Sequence, residues 1–170
     1  METLSTVIAC RHDQAAGPHG PNLNLFGRRE PHIYGTTTLA QIDERLHELA
    51  RELGVSLECF QSNQEGALID KLHENIDRVQ GALVNPAGLT QHGVPLHDAI
   101  KAMHFPVIEV HMSNIAAREP WRAHSIISPA VRGTVQGLGW RSYTAALRVI
   151  AELAAEQTTE SRSTPKETTP

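Results

Sequence analysis

Leu39, Ile42, Leu46, Leu49 and Leu53 recur at alternating steps of three and four residues. That is the apolar stripe of an amphipathic helix, with residues 36–38 (Thr-Thr-Thr) available as caps and Gly54 as a stop. A second stripe, Leu68, Leu72, Ile76 and Val79, predicts a helix ending at Gly81. A third helix covers about residues 94–103, and a last one over 139–156 is carried by Tyr143, Leu147, Ile150 and Leu153. Between the helices lie β-like runs at residues 6–10, 55–60, 82–84 and 106–110, with a weaker one at 131–135. Residues 118–122 read as a short helical turn, and residues 11–36, punctuated by Gly and Pro, as a long loop.

Strands alternating with helices imply βαβ units and a parallel sheet. The pattern predicts an α/β fold, a flavodoxin-like three-layer sandwich with a five-stranded parallel sheet. Residues 1–156 make a single domain, and residues 157–170, which hold no apolar side chain to bury, are expected to be a disordered tail.

Composition narrows the function. Over 170 residues, Lys+Arg number 15 and Asp+Glu 19, a net charge of −4 that predicts no nucleic-acid partner. The two cysteines, Cys10 and Cys59, form neither a disulfide framework nor a CxxC pair. No apolar run is long enough for a membrane span, and the first residues lack a basic, apolar leader, so a cytoplasmic protein with no membrane partner is expected. Aromatic residues are only 4 %, so the core must be aliphatic and the two tyrosines become conspicuous.

Ligands of open α/β sheets bind beyond the carboxyl ends of the strands. That rule selects the loops at 11–36, 85–93 and 111–122. They hold Asn22, Arg28, Arg29, Tyr34, Asn85, Gln91, His92, His111, Ser113, Asn114, Arg118 and Arg122. Each has a plain structural reading: Arg28 and Arg29 as solvated charge, Tyr34 as a plug on the core, Asn85-Pro86 as a turn, His111 as a strand-end cap. His111 says more, because Glu109 lies two residues earlier on the same strand face and is placed to orient or charge-stabilise it. Ten histidines invite a metal, but no HExxH, CxxC or comparable ligand spacing occurs, and no metal is expected. The three lysines fall on helices and in the tail, which gives Schiff-base chemistry little support. There is no P-loop, and Gly137-Leu138-Gly139 is weak as a dinucleotide signal, so no cofactor is expected.

At these same loops several motifs stand in order: Gly20-Pro-Asn-Leu-Asn-Leu-Phe-Gly27, Arg29-Glu-Pro-His-Ile-Tyr-Gly35, Gln61-Ser-Asn-Gln-Glu-Gly66, Val84-Asn-Pro-Ala-Gly-Leu-Thr90, Glu109-Val-His-Met-Ser-Asn114 and Arg118-Glu-Pro-Trp-Arg122, followed by His124-Ser125. From about Gly20 to the last helix the chain resembles the type II 3-dehydroquinate dehydratases. The resemblance implies a flavodoxin-like fold, a homo-dodecamer built as a tetramer of trimers, and loss of water from 3-dehydroquinate to give 3-dehydroshikimate without metal or Schiff base. That chemistry serves both aromatic biosynthesis and quinate breakdown. By position, Tyr34 resembles the base that takes the proton α to the ketone, and Arg29 the neighbour that supports its ionised form, since a nearby cation favours phenolate. Their loop resembles a mobile lid. Asn22 resembles a residue holding a water by the developing enolate, and Asn85 one that places substrate and acid. His111 resembles the acid that protonates the departing hydroxyl, with Glu109 behind it. Met112 and Ser113 resemble the pair whose N–H groups hold the substrate carboxylate, and Arg122 a binder of ring hydroxyls. Asp98 resembles a residue that reaches in from a neighbouring subunit.

The chain also departs from the family's pattern. Gln91 stands where the family usually has a substrate-binding His, and Gly93 where Ser is common. Residues 11–19 form an extra stretch before the first motif, with His19 at the usual Asn, and residues 140–142 (Trp-Arg-Ser) replace a more apolar run. Two other readings stay open: a relative acting on another hydroxylated ketone or acid, and a catalytically silent oligomeric binding protein.

Overall fold

A computed structural model describes the backbone of residues 8–9 and 15–163 and the side chains of residues 19–157. Five strands run parallel: β2 (Ala15–His19), β3 (Leu57–Gln61), β4 (Ala82–Val84), β5 (Val107–His111) and β6 (Gly133–Gln136). A two-residue strand, β1 (Ile8–Ala9), pairs antiparallel with β2 and β4, making six strands in the order β3-β2-β1-β4-β5-β6, with β2 also paired to β4.

The start of the sheet corrects the expectation from sequence. Residues 6–10 were the natural candidate for the first parallel strand, yet their described part is the short antiparallel β1; Thr6, Val7 and Cys10 lie outside the described residues. The first parallel strand is instead Ala-Ala-Gly-Pro-His, inside the stretch that reads as loop. It lacks the branched and aromatic residues that mark a strand. The ladders from β3 and β4 on either side impose the extended form, a case of context overriding propensity. This register lets β2 run directly into Gly20-Pro21-Asn22.

The helices follow their stripes. Helix α1 (Pro31–Tyr34) is a single turn. In α2 (Leu39–Leu53), Thr38 and Gln41 form a reciprocal capping box, and Gly54 ends the helix at φ 68°. Helix α3 (Glu65–Glu74) stops at Asn75, before Ile76 and Val79 of the stripe. Helix α4 spans Val94–Lys101. Helix α5 (Arg141–Ser163) continues past Glu156 into the stretch expected to be a disordered tail; residues 164–170 are outside the described residues.

The two sheet faces are covered separately. Leu83, Ile108 and Val110 pack with Ile42, Leu46 and Leu49 of α2 and Leu147 and Ile150 of α5. Ala82, Val84 and Val107 pack with Leu68 and Leu72 of α3 and Leu96 and Ile100 of α4. The period of two in β5 therefore sends Ile108 and Val110 to one side, and Val107, Glu109 and His111 to the other. Gly20 is held to its lack of a side chain, because a Cβ there would lie 2.5 Å from the Pro86 carbonyl oxygen. The close approach brings the end of β2 against the end of β4, with the Gly20 N–H donating to the Asn85 carbonyl at 2.7 Å.

Candidate active site

Beyond the carboxyl ends of these strands lies a cleft of ≈ 390 Å³. Asn22, Arg29, Tyr34, Asn85, Gln91, His111, Met112, Ser113 and Arg122 all line it, although they come from loops scattered across the chain. Glu109 sits behind His111, fully buried. Arg28, Asn114 and Asp98, also candidates from sequence, do not line the cleft; Asp98 is on α4, its side chain is 73 % exposed, and it pairs with His97 at 2.9 Å. Leu23, Phe26, Ile115, Arg118 and Trp121 also line the cleft and had no role from sequence.

The histidine end is a charged, satisfied network. His111 Nε2 lies 2.8 Å from Glu109 Oε1. The Ser125 hydroxyl donates to both carboxylate oxygens at 3.0 and 3.1 Å, and the Ser128 hydroxyl to Oε2 at 2.6 Å. Burial by itself would raise the Glu109 carboxyl, but the hydrogen bonds from His111, Ser128 and Ser125 outweigh it and hold it below the usual range. A buried, ionised carboxylate at this distance is the partner a histidine needs to carry a proton and keep one tautomer. His111 Nδ1 makes no hydrogen bond within the described residues, which leaves it for a ligand.

The tyrosine end is built on α1. Tyr34 packs against Phe26, with ring centroids 5.5 Å apart, and is half-buried. Arg118 Nη1 donates to the Tyr34 oxygen at 2.6 Å. Arg29, the neighbour expected from sequence, instead binds Glu30 Oε2 at 2.8 Å and lies 5.3 Å from the Tyr34 ring centroid. The Glu30 carboxyl is held below its usual range, first by the Arg29 hydrogen bond. Arg118 is the better-buried guanidinium, and Glu119 and Glu30 also face it, at 3.3 and 3.9 Å.

Between the two ends, Asn85 forms the floor. Its Oδ1 accepts from the Ala87 N–H at 3.1 Å, and its Nδ2 donates to the Tyr143 hydroxyl at 2.6 Å. That hydroxyl meets His19 Nδ1 at 3.0 Å. His19 Nδ1 is the acceptor within reach of the buried hydroxyl's proton among the described residues, so Tyr143 donates there while accepting from Asn85. Burial pushes the Tyr143 phenol well above its ordinary value, so it stays a neutral hydroxyl. Met112 and Ser113 follow β5 immediately, beyond the last ladder pair His111↔Gln136.

The altered Gly93 also has a structural account. It is the N-cap of α4 and has no side chain to cap with; the Glu65 carboxylate of α3 takes over, accepting from the Leu96 N–H at 3.1 Å. A Cβ on Gly93 would lie 3.0 Å from that same Glu65 oxygen and 2.9 Å from the Leu89 carbonyl oxygen. Among the described residues, no group of three or more His, Cys, Asp or Glu side chains is arranged to hold a metal ion. No described helix is long and apolar enough to cross a membrane.

The family model for dehydroquinase class II matches residues 18–151. The chain belongs to this family. It is 53 % identical over 137 residues to the 3-dehydroquinate dehydratase of Desulforudis audaxviator, covering 81 % of this chain and 91 % of that one. The 3-dehydroquinate dehydratase of Pelotomaculum thermopropionicum is 48 % identical over 136 residues, covering 80 % and 94 %. Among solved structures, the type II dehydroquinase of Propionibacterium acnes superposes with a TM-score of 0.78 at 43 % identity, covering 80 % of this chain and 94 % of that one. The class II family boundary begins at Pro18, so the family match enters the sheet through β2.

Proposed function

We propose that this chain is a type II 3-dehydroquinate dehydratase, eliminating water from 3-dehydroquinate to give 3-dehydroshikimate through an enolate, with no metal, cofactor or Schiff base. The observation that carries the reading is one cleft lined both by a tyrosine whose oxygen accepts from an arginine and by a histidine backed by a buried carboxylate. An α proton is weakly acidic and hydroxide is a poor leaving group, so the reaction needs a base and an acid on one ligand. Tyr34 is the base. Its oxygen is the acceptor in the Arg118 bond, the polarity a phenolate requires, and Arg29 adds positive charge over the ring. The α proton passes to Tyr34, and the electron pair moves onto the ketone oxygen as an enolate beside a water held by Asn22. On collapse the carbon–hydroxyl bond breaks and His111 gives its proton to the departing oxygen, releasing water. The Glu109 carboxylate is the counter-ion for the imidazolium form.

Asn85, Gln91 and Arg122 hold the ring, and the N–H groups of Met112 and Ser113 hold the substrate carboxylate. The strand order, read without β1, is β3-β2-β4-β5-β6 with helices on both faces, which supports the flavodoxin-like three-layer sandwich. The catalytic unit of this reading is a single domain over residues 1–156, and all residues lining the cleft fall within it. In a homo-dodecamer built from trimers, Asp98 would serve a neighbouring subunit; that it is exposed supports this reading. Sedimentation tests that assembly; a stable, active monomer contradicts it.

The direct test is incubation of purified protein with 3-dehydroquinate. The conjugated enone product appears as rising ultraviolet absorbance, and no turnover at high enzyme concentration overturns the reading. Gln91 favours one alternative, a relative acting on another hydroxylated ketone; a large gain on dehydroquinate in Gln91→His would support it.

A further inference from the structure

Behind the floor of the cleft, three buried side chains from separate parts of the sheet and its helices join in one line of hydrogen bonds. His19 ends β2, Asn85 follows β4, and Tyr143 lies on α5. All three are buried, with 2 %, 3 % and 1 % of their surface exposed. Asn85 Nδ2 donates to the Tyr143 oxygen at 2.6 Å, and the Tyr143 hydroxyl donates to His19 Nδ1 at 3.0 Å. The two rings also pack edge to face, with centroids 4.9 Å apart. Asn85 lines the cleft, whereas Tyr143 and His19 do not. His19 is one of the positions at which this chain departs from the family's pattern.

The direction of each bond follows from what each group can offer. The Ala87 N–H donates to Asn85 Oδ1 at 3.1 Å, so Nδ2 is the end of the amide that faces Tyr143. Tyr143 must therefore accept there. Burial pushes its phenol up, so the hydroxyl keeps its proton and needs an acceptor on its other side. The lone pair of His19 Nδ1 is that acceptor. The proton of the imidazole then sits on Nε2, which the Asp43 carboxylate of α2 faces at 3.7 Å. What one ring nitrogen meets decides which of the two carries the proton. Without an acceptor at Nδ1, the Tyr143 proton is left with Asn85 as its polar neighbour among the described residues, where it opposes the Nδ2–H bond. Asn85 then loses one of the two contacts that orient its amide.

We infer that His19 is a positioning residue for Asn85, acting through the Tyr143 hydroxyl by way of the acceptor at Nδ1. The inference rests on the proposed role of Asn85 in holding the substrate ring and names the residue that fixes it from behind.

The test uses the full-length protein, with turnover of dehydroquinate and calorimetric binding of quinate, a ring that has no ketone and cannot eliminate. His19→Phe keeps a ring against Tyr143 and removes the nitrogen. His19→Asn gives up the ring and keeps a polar acceptor at the δ position. His19→Phe should weaken quinate and lower kcat/KM by about tenfold, while His19→Asn stays within about threefold of wild type. A residue that only packs would give the reverse order. In a Tyr143→Phe background, His19→Phe should add less than about twofold, because the relay is already cut. Circular dichroism confirms that the variants are folded. Nitrogen NMR of the histidine-labelled wild type gives a reading that needs no stable variant: the His19 ring should carry its proton on Nε2 and not on Nδ1.

An Nδ1–H ring, wild-type behaviour of His19→Phe, an equal loss in His19→Asn, or the full loss repeated in Tyr143→Phe overturns the inference. The expected pattern in quinate binding without turnover of dehydroquinate by the wild type overturns the dehydratase reading alone. Turnover that His19→Phe leaves unchanged overturns this inference alone, and a wild type that neither binds quinate nor turns over dehydroquinate overturns both.

Discussion

Glu109→Gln is the substitution that most sharply separates a structural carboxylate from a working one. The carboxylate is fully buried and accepts from His111 at 2.8 Å, Ser128 at 2.6 Å and Ser125 at 3.0 Å. An amide of the same shape keeps one acceptor oxygen but loses the charge and presents N–H groups to donors. A hydrogen bond to a charged group is worth ~1.5–3 kcal/mol, and a neutral one about 1 kcal/mol. Downgrading three bonds therefore costs about 3 kcal/mol near neutral pH. The pH dependence follows from the lowered Glu109 carboxyl. A carboxyl whose folded-state value is depressed contributes stability that is complete above its unfolded value, about 4.3, and is lost as pH falls through the folded value. The gap between wild type and Glu109→Gln should thus be widest near pH 7 and narrow below about pH 4. Urea unfolding at fixed protein concentration, repeated from pH 7 to pH 3.5, measures it. A gap under about 1 kcal/mol at pH 7, or one that does not change into the acid range, refutes the account of Glu109 as a buried, ionised partner of His111. In turnover, the same variant should lose kcat more than KM, because the imidazolium loses its counter-ion.

Arg118→Met removes the donor to Tyr34 and should lower kcat by about 10²-fold or more with a smaller change in KM, checked by steady-state kinetics; an equal loss in Arg29→Met and none in Arg118→Met would reverse the two arginines' roles. Tyr143→Phe leaves Asn85 Nδ2 and His19 Nδ1 without their shared partner and should cost about 1–3 kcal/mol of stability, measured by denaturation. Glu65→Ala uncaps α4 and should cost about 1 kcal/mol, seen as a lower unfolding midpoint.

Features set by local pattern were legible in the sequence. The α2 stripe and its caps appear as the spacing of its leucines and Thr38 demands. Glu109 and His111 share a strand face because side chains alternate with a period of two, and their contact needs nothing from the rest of the fold. Features made by distant contacts were not. Strand β2 has no strand-like composition and exists because β3 and β4 flank it. Arg118 reaches Tyr34 across 84 residues of sequence, so it read only as one loop cation among several. The same holds for Glu65 at the α4 N-terminus, 31 residues away, and for Tyr143, a helix residue whose hydroxyl ties Asn85 to His19. The bond from Gln91 to the Arg122 carbonyl could not be read either, because the fold brings the two loops together.

Tyr34 is the residue proposed to take the α proton of dehydroquinate. Turnover and quinate binding by Tyr34→Phe test it most directly, since the substitution removes only the oxygen that Arg118 contacts. The expected result is turnover reduced to background with quinate binding within a few-fold of wild type; a Tyr34→Phe protein that still dehydrates dehydroquinate at a comparable rate contradicts that role.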